Sequence, residues 1–195
     1  MGPLSRRRPA VPACSRNLAC RHPVSERRLE WTHQNCLNIT EDGDLLVSFC
    51  QTSTFGIVNR SSGEFTWRWG PGEISHQHNP TYLDSGNVLL FDNGSHRQGM
   101  SYSRIIEINP KDNKIAWEYK SDPPISFFSY HISDAERLPN GNTLICEGAP
   151  GRVFEVTPAQ EIVWEYINPF LTGNGEHGAG SPYSKLRCSV PIATE

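Results

Sequence analysis

Residues 76–94, HQHNPTYLDSGNVLLFDNG, contain the pattern that decides the fold. They begin with two histidines one residue apart, His76 and His78, and pass through a Ser-Gly-Asn turn into an apolar run at residues 88–91. A polar turn between two such segments predicts a strand-turn-strand unit. Because side chains at i and i+2 of an extended strand lie on the same face, we expect both imidazoles to point the same way.

The same pattern occurs three times along the chain. Each copy has a histidine ten residues before a turn glycine, and Asp or Asn and a short apolar strand follow the glycine. These histidines are His33, His76 and His131. Each copy then continues through two further strand-like runs, and the last run carries a tryptophan. These tryptophans are Trp67, Trp117 and Trp164. Four strands per unit, repeated every 43 to 55 residues, are typical of a β-propeller blade.

The sequence therefore predicts an all-β fold, a β-propeller fragment of about three four-stranded antiparallel blades. Within the repeat region, residues 30–170, the expected blades are residues 31–70, 74–120 and 127–169. We expect the tryptophans to pack between blades. Closed propellers have about four to eight blades, so three blades would leave two sheet faces without a neighbour. A fragment, a truncated paralogue and a chain completed by blades from another chain all remain open.

The ends of the chain lack the repeat. Residues 1–29 carry seven arginines and one acid, so we expect a disordered basic arm, and we expect an irregular tail at residues 171–195. No apolar run follows the arginines, so no secretory signal is recognised. The sequence contains no stretch of about 18 apolar residues, so no membrane span is predicted. The net charge of −3 provides no field that would recruit nucleic acid.

The histidines are the candidate functional residues. The innermost strand of each propeller blade lines the central channel, so three equivalent imidazoles would converge on one axis, with Asn35 beside His33. Neutral imidazoles are also common metal ligands, but no carboxylate stands in register beside them, so no metal is predicted. Three residues of the basic arm lack a close Cys-x-x-Cys pair and do not predict a metal site either. They are Cys14, Cys20 and His22.

Two stretches resemble the aryl-sulfate sulfotransferases, bacterial enzymes built as six-bladed propellers. The stretches are THQN…LLVSFCQTSTFGIVN, residues 32–59, and QHNPTYLDSGNVLLFDNGSHRQG…YSRIIEI, residues 77–108. The resemblance covers roughly residues 31–170 and is specific in its HxN, QH and FDNG motifs. It implies transfer of a sulfuryl group from an aryl sulfate to a phenolic acceptor through a sulfohistidine, without a cofactor. His78 matches the family's nucleophile, and His33 and Asn35 match the pair that holds the sulfuryl oxygens.

The chain departs from the family at one position. The family carries an arginine after the strand that follows HxN, and this chain has Cys50 there. A thiol cannot supply the fixed charge of a bidentate arginine, so we expect impaired or absent activity. His76, His131 and Arg97 complete the expected substrate-binding set. Members of the family are typically periplasmic or exported, but no secretory signal is recognised in this sequence. The compartment of this chain therefore stays unknown.

Two other classes compete with the sulfotransferase interpretation. A non-catalytic propeller would bind a partner or ligand across one face and needs no histidine chemistry. The turns before Trp67 and Trp164 are also similar to those of quinone-dependent dehydrogenase propellers. Those enzymes require cofactor-stacking and calcium-binding residues that the sequence does not contain, so this class ranks third.

Overall fold

The computed structural model describes residues 31–169, and these residues form three four-stranded antiparallel sheets. The first sheet contains β1 (Gln34–Ile39), β2 (Leu45–Phe49), β3 (Thr54–Val58) and β4 (Phe65–Trp69). The second contains β5 (His78–Tyr82), β6 (Val88–Asp92), β7 (Arg104–Asn109) and β8 (Lys114–Tyr119). The third contains β9 (Asp134–Arg137), β10 (Thr143–Glu147), β11 (Arg152–Val156) and β12 (Ile162–Ile167). Short 3-10 turns at Cys50–Thr52 and Pro124–Ser126 complete the regular structure of this range.

Strands follow one another in sequence order within each sheet, as in the blades of a propeller. The prediction of an all-β propeller fragment with about three blades is confirmed. The expected basic arm at residues 1–29, its three metal-ligand candidates and the expected tail at residues 171–195 lie outside the described residues. No helix among residues 31–169 is long and apolar enough to cross a membrane.

One turn is repeated between the first and second strands of every sheet. Its glycines have φ values of 81°, 82° and 86°, in the left-handed region that glycine adopts without strain. Each glycine N–H donates to the carbonyl three residues earlier, at 2.8–2.9 Å. The glycines are Gly43, Gly86 and Gly141. The three turns that repeat in the sequence therefore share one backbone conformation.

The hydrophobic core is divided between the two sheet interfaces. Val88 and Leu90 of β6 belong to the cluster with Leu46 and Phe55 of the first sheet. Leu89, the residue between them, belongs to the other cluster, which includes Ile145 and Phe154 of the third sheet. Successive side chains of a strand point to opposite faces, so the second sheet is buried on both sides. This sandwich holds the first strands of the three sheets in fixed positions.

The sheets are also joined at their inner and outer edges. Strand β1 lies beside β5, and β5 lies beside β9. Trp67 Nε1 of the first sheet donates to Asn113 Oδ1 of the second at 2.9 Å. Trp117 Nε1 of the second sheet donates to Pro158 O of the third at 3.0 Å. The expected packing of tryptophans between blades is confirmed for these two residues.

The third tryptophan differs from the other two. Trp164 lies on β12, and half of its surface is exposed. No fourth sheet follows β12 among residues 31–169, so the packing expected for Trp164 is absent there. All six residues of β12 are exposed, and Leu37 and Ile39 of β1 are also more than half exposed. The two outer faces of the sheet stack therefore present apolar side chains.

Candidate functional site

The start of the first strand in each sheet places three of the predicted site residues. His78 begins β5, His33 comes one residue before β1, and His131 comes three residues before β9. Burial lowers the pKa of His78, and positive charge on His33 and His131 lowers it further. His33 and His131 therefore lie within electrostatic range of His78. At neutral pH His78 is uncharged, which is the state required of a nitrogen nucleophile.

The hydrogen bonds of His78 define which ring nitrogen carries the proton. Asn93 Nδ2 donates to Ser129 O at 2.7 Å and to Ile132 O at 2.8 Å, so the amide oxygen Oδ1 faces the other way. That oxygen lies 2.8 Å from His78 Nδ1, and the carbonyl of His76 lies 3.3 Å from the same nitrogen. Both oxygens only accept, so Nδ1 carries the hydrogen. The lone pair of His78 is therefore on Nε2.

His76 does not share the environment of His78. Its φ is 57°, so β5 begins only at His78 and the pair does not lie in one continuous strand. The expectation that alternation in an extended strand places both rings on one face is therefore wrong. The His76 ring is buried against His96, with 2.9 Å between His76 Nε2 and His96 Nδ1. Its Nδ1 lies 3.5 Å from the sulfur of Cys50.

Asn35 connects the first two sheets beside the histidines. Its Nδ2 donates to Gln77 O at 2.7 Å, and its buried Oδ1 has no hydrogen-bond partner. The Gln77 side chain is fully buried and donates to Ser48 Oγ at 3.0 Å and to Thr54 O at 2.9 Å. Asn35 has two amide hydrogens, so one remains available for a ligand at this position.

His131 carries an aromatic neighbour. The ring of Tyr130 stacks on it, with centroids 4.1 Å apart and an angle of 31° between the ring planes. Half of the surface of Tyr130 is exposed, whereas Phe127 is fully buried in the core between the second and third sheets. An aryl group that approached His131 would therefore meet the Tyr130 ring and not Phe127.

Arg97 lies in the loop after β6 and is held by an ion pair. Its Nη2 is 2.6 Å from Asp92 Oδ2, and its guanidinium lies 4.5 Å from the centroid of the Tyr102 ring. Asp92 is fully buried and also accepts from Arg104 Nε at 2.8 Å. Arg97 is therefore engaged at one end of its guanidinium, while its Nε is buried without a hydrogen-bond partner. That Arg97 contacts an anionic substrate group stays a prediction.

Residues 31–169 contain no group of three or more His, Cys, Asp or Glu side chains arranged to hold a metal ion. Asp92, the fully buried carboxylate at the end of β6, is neutralised by its two arginines instead. Its Oδ1 accepts from the backbone N–H of Ser75 at 2.9 Å, so this carboxylate fastens the loop that leads to His76.

Two residues outside the predicted set belong to the site. Asn93, directly after β6, is fully buried and orients His78. His96, in the loop that follows, contacts the His76 ring. Their partners lie 15 and 20 residues away in the chain, so no local pattern indicates these contacts.

The chain is similar to several solved structures, but it aligns with only part of their length. A protein of unknown function from Bacteroides caccae has a TM-score of 0.54 and 17% identity over 69% of this chain and 50% of that one. A catalytically inactive virginiamycin B lyase from Staphylococcus aureus with quinupristin has a TM-score of 0.52 and 13% identity over 73% and 43%. A streptogramin B lyase has a TM-score of 0.53 and 15% identity over 73% and 43%. At such identities they show the fold alone, and this chain spans half or less of their length.

Sequence comparison identifies the family. No curated protein matches the chain. The family model described as Arylsulfotransferase (ASST) matches residues 14–169, which is most of the chain and includes all three sheets. The resemblance carried by the HxN, QH and FDNG motifs is thereby confirmed. The chain belongs to the arylsulfotransferase family.

Proposed function

We propose that the protein transfers a sulfuryl group from an aryl sulfate to a phenolic acceptor, with His78 Nε2 as the nucleophile. The observation that carries this proposal is the pair of acceptors on His78 Nδ1, from Asn93 and from the His76 carbonyl. These two oxygens hold the proton on Nδ1 and leave the lone pair on Nε2. Family membership supports the substrate class, a small-molecule sulfuryl donor and acceptor.

The first half-reaction forms a covalent intermediate. The Nε2 lone pair of His78 attacks the sulfur of the aryl sulfate, an N–S bond forms, and the S–O bond to the aryl group breaks. The leaving phenolate takes the electron pair of that bond. In the second half-reaction the acceptor phenol loses its proton to solvent and its oxygen attacks the same sulfur, the N–S bond breaks, and His78 regains its lone pair. Splitting one transfer into two displacements is the advantage of a covalent nucleophile.

Positive charge and hydrogen-bond donors beside His78 support the transition state. Negative charge spreads over the sulfuryl oxygens during transfer, and fixed donors stabilise it. His33 and His131 act electrostatically on His78, so in their protonated form they place positive charge near a bound sulfate. The free amide hydrogen of Asn35 and the ring of His33 are the donors that the family resemblance assigns to those oxygens.

Cys50 limits the expected rate. It stands where the family has an arginine, and its thiol contacts His76 instead of supplying a guanidinium. Loss of one such transition-state contact corresponds to about 3 kcal/mol, or about 10²-fold in rate. We therefore expect turnover well below that of a chain that carries the arginine.

An aryl sulfate with a coloured leaving group tests the proposal. Incubation of the protein with a nitrophenyl sulfate and phenol should release nitrophenol, and His78→Ala should abolish the release. Gln98→Ala, in an exposed part of the loop after β6, serves as a control that retains wild-type activity. Full activity in a folded His78→Ala protein would exclude His78 as the nucleophile.

A non-catalytic binding scaffold is the second candidate. The exposed apolar residues of β1 and β12 favour it, because large apolar patches mark sites of association. A scaffold requires no chemistry at His78. Intact donor after prolonged incubation with folded protein would favour this candidate over the enzyme.

A further inference from the structure

A thiol and two imidazoles form a continuous hydrogen-bonded chain in this protein. Cys50 Sγ lies 3.5 Å from His76 Nδ1, and His76 Nε2 lies 2.9 Å from His96 Nδ1. The rings of the two histidines meet edge to face at 75°, with centroids 4.3 Å apart. Cys50 and His76 are both buried, and His96 is partly exposed. The sulfuryl-transfer mechanism uses neither Cys50 nor His96.

The order of these three groups is that of an activated nucleophile. Proton transfer from the thiol to His76 Nδ1 leaves a thiolate beside an imidazolium. The imidazolium then donates from Nδ1 to the sulfur and from Nε2 to His96 Nδ1. A base within hydrogen-bond distance of a nucleophile, itself oriented by a third group, is the general arrangement of nucleophilic triads. The 3.5 Å distance is normal for a hydrogen bond that involves sulfur.

Backbone contacts hold the three side chains in place. The Cys50 N–H donates to His33 O at 3.0 Å, and the His76 N–H donates to Ser53 Oγ at 3.3 Å. The His96 N–H donates to Ser75 Oγ at 2.9 Å. Each member is therefore fixed by a different segment of the chain.

The carboxylate of the neighbouring loop is neutralised by other groups. Asp92 is ion-paired with Arg97 and with Arg104. His76 contacts both the Cys50 thiol and the His96 ring. A buried thiolate next to a protonated imidazole forms a neutral pair overall, which reduces the desolvation of the charged sulfur.

We propose that Cys50 is a nucleophilic thiol that reacts with small uncharged alkylating electrophiles, with His76 as its base and His96 as a positioning residue. Small size is required because the sulfur lies in a residue that is only 5% exposed. With iodoacetamide, Cys50 Sγ attacks the methylene carbon, an S–C bond forms, the C–I bond breaks and iodide leaves. The thiol proton stays on the His76–His96 pair. This site does not depend on sulfuryl transfer at His78.

The other described cysteines provide internal controls. Burial, together with the charge of Asp134, raises the pKa of Cys36 to about 11. Cys36 is partly exposed and therefore more accessible than Cys50, but it is almost entirely protonated at neutral pH. Cys146 is buried like Cys50. Comparison with the more exposed Cys36 shows whether exposure alone sets the alkylation rate. Comparison with the buried Cys146 shows whether a thiol as buried as Cys50 reacts as fast.

The test is timed alkylation of the full chain with iodoacetamide between pH 6 and 9, followed by proteolysis and mass spectrometry of each cysteine peptide. At pH 7 we expect Cys50 to be alkylated more than about tenfold faster than Cys36, because the Cys50 thiol contacts an imidazole base, whereas the Cys36 thiol contacts the Asn79 amide and the Pro80 carbonyl. The Cys50 rate should change little between pH 7 and 9. A rate no higher than that of Cys36, or one that rises only above pH 8, would overturn the proposal.

Two variants identify the base and its support. His76→Gln should lower the Cys50 rate at pH 7 by about tenfold or more and restore the pH dependence of an ordinary thiol. His96→Gln should give a smaller loss with the same change of pH profile, and Gln98→Ala should leave the profile unchanged. Folding is checked by near-UV circular dichroism. Unchanged profiles in folded His76→Gln and His96→Gln proteins would contradict the relay, whatever the absolute rates.

Discussion

The chemistry of His78 depends on the amide of Asn93. Two backbone carbonyls, of Ser129 and Ile132, fix the direction of that amide, and the amide in turn fixes the proton of His78. A histidine at the start of a strand has no preferred tautomer by itself. Here the preference comes from a residue 15 positions later and from carbonyls that precede the third sheet. The nitrogen of His78 that holds the lone pair is thus determined by contacts between two blades.

Burial of His78 makes folding depend on pH. The pKa of His78 in the folded protein is lowered from the ordinary value of 6.5, mainly by burial. Above pH 6.5 the ring is neutral in both states. As the pH falls below 6.5, the unfolded chain binds the proton first, so the folded state loses stability until the pH reaches the lowered pKa. The loss from one such group is at most about 1.4 kcal/mol per pH unit.

Urea unfolding at pH 7.0, 6.0 and 5.0 measures this contribution. The wild-type protein should lose more stability between pH 7 and 5 than His78→Gln does, because the glutamine does not titrate. An equal or steeper loss in the variant would contradict a lowered pKa for His78.

The loop between β6 and β7 is the element that carries the candidate site. It contains Asn93, His96 and Arg97, and its fold depends on Gly94. Gly94 has φ of 72°, and its N–H donates to Ser75 O at 2.8 Å. A Cβ at this position would overlap the carbonyl oxygen of Tyr102. The loop therefore requires glycine for both its backbone conformation and its close approach to Tyr102.

Gly94→Ala and Gly63→Ala form a matched pair that isolates this close approach. Both glycines have φ of 72°, but a Cβ on Gly63 meets no atom within 4 Å. Gly63→Ala should cost about 1–2 kcal/mol from the left-handed conformation alone. Gly94→Ala should cost at least about 2 kcal/mol more in urea unfolding, because the loop must move. Equal costs would show that the loop is not constrained at Tyr102.

The strands were more predictable from the sequence than the loop. The repeated spacing from histidine to turn glycine gave the three sheets and their strand order because a blade is a local structure. The loop between β6 and β7, residues 93–103, has no counterpart in the repeat. Its conformation depends on the contact of Gly94 with Ser75, in a segment that precedes β5. Contacts of this range leave no periodic signal in a single sequence.

The candidate site was likewise only partly predictable from the sequence. Register between repeats grouped His33, His76 and His131, whereas the imidazole within electrostatic range of His33 and His131 is that of His78. Register could not predict that His76 leaves the strand, because its positive φ depends on the contact of its N–H with Ser53. It also could not show that the Cys50 thiol contacts the His76 ring.

At the scale of the whole molecule, the sheets stack through one repeated contact. Trp67 and Trp117 each donate from the outer strand of one sheet to a turn of the next sheet. Trp164 occupies the same position on the third sheet and is half exposed. The difference between Trp117 and Trp164 therefore reports whether a further surface covers β12.

Alanine substitutions of Trp117 and Trp164 measure that difference. Trp117→Ala should lower the free energy of unfolding by about 2–4 kcal/mol, because it removes packing between two sheets and one hydrogen bond. Trp164→Ala should cost less than about 1 kcal/mol for an exposed side chain. Urea unfolding of the two variants at several protein concentrations provides the comparison. Equal losses would contradict an exposed β12 face in solution.

Mass spectrometry of the protein after brief exposure to a nitrophenyl sulfate, without acceptor, shows whether His78 is the nucleophile. We expect one sulfonate group on the peptide that contains His78. Addition of phenol should discharge the group, and folded His78→Ala protein should not acquire it. A sulfonate on another residue, or unmodified protein that has nevertheless released nitrophenol, would contradict His78 as the nucleophile.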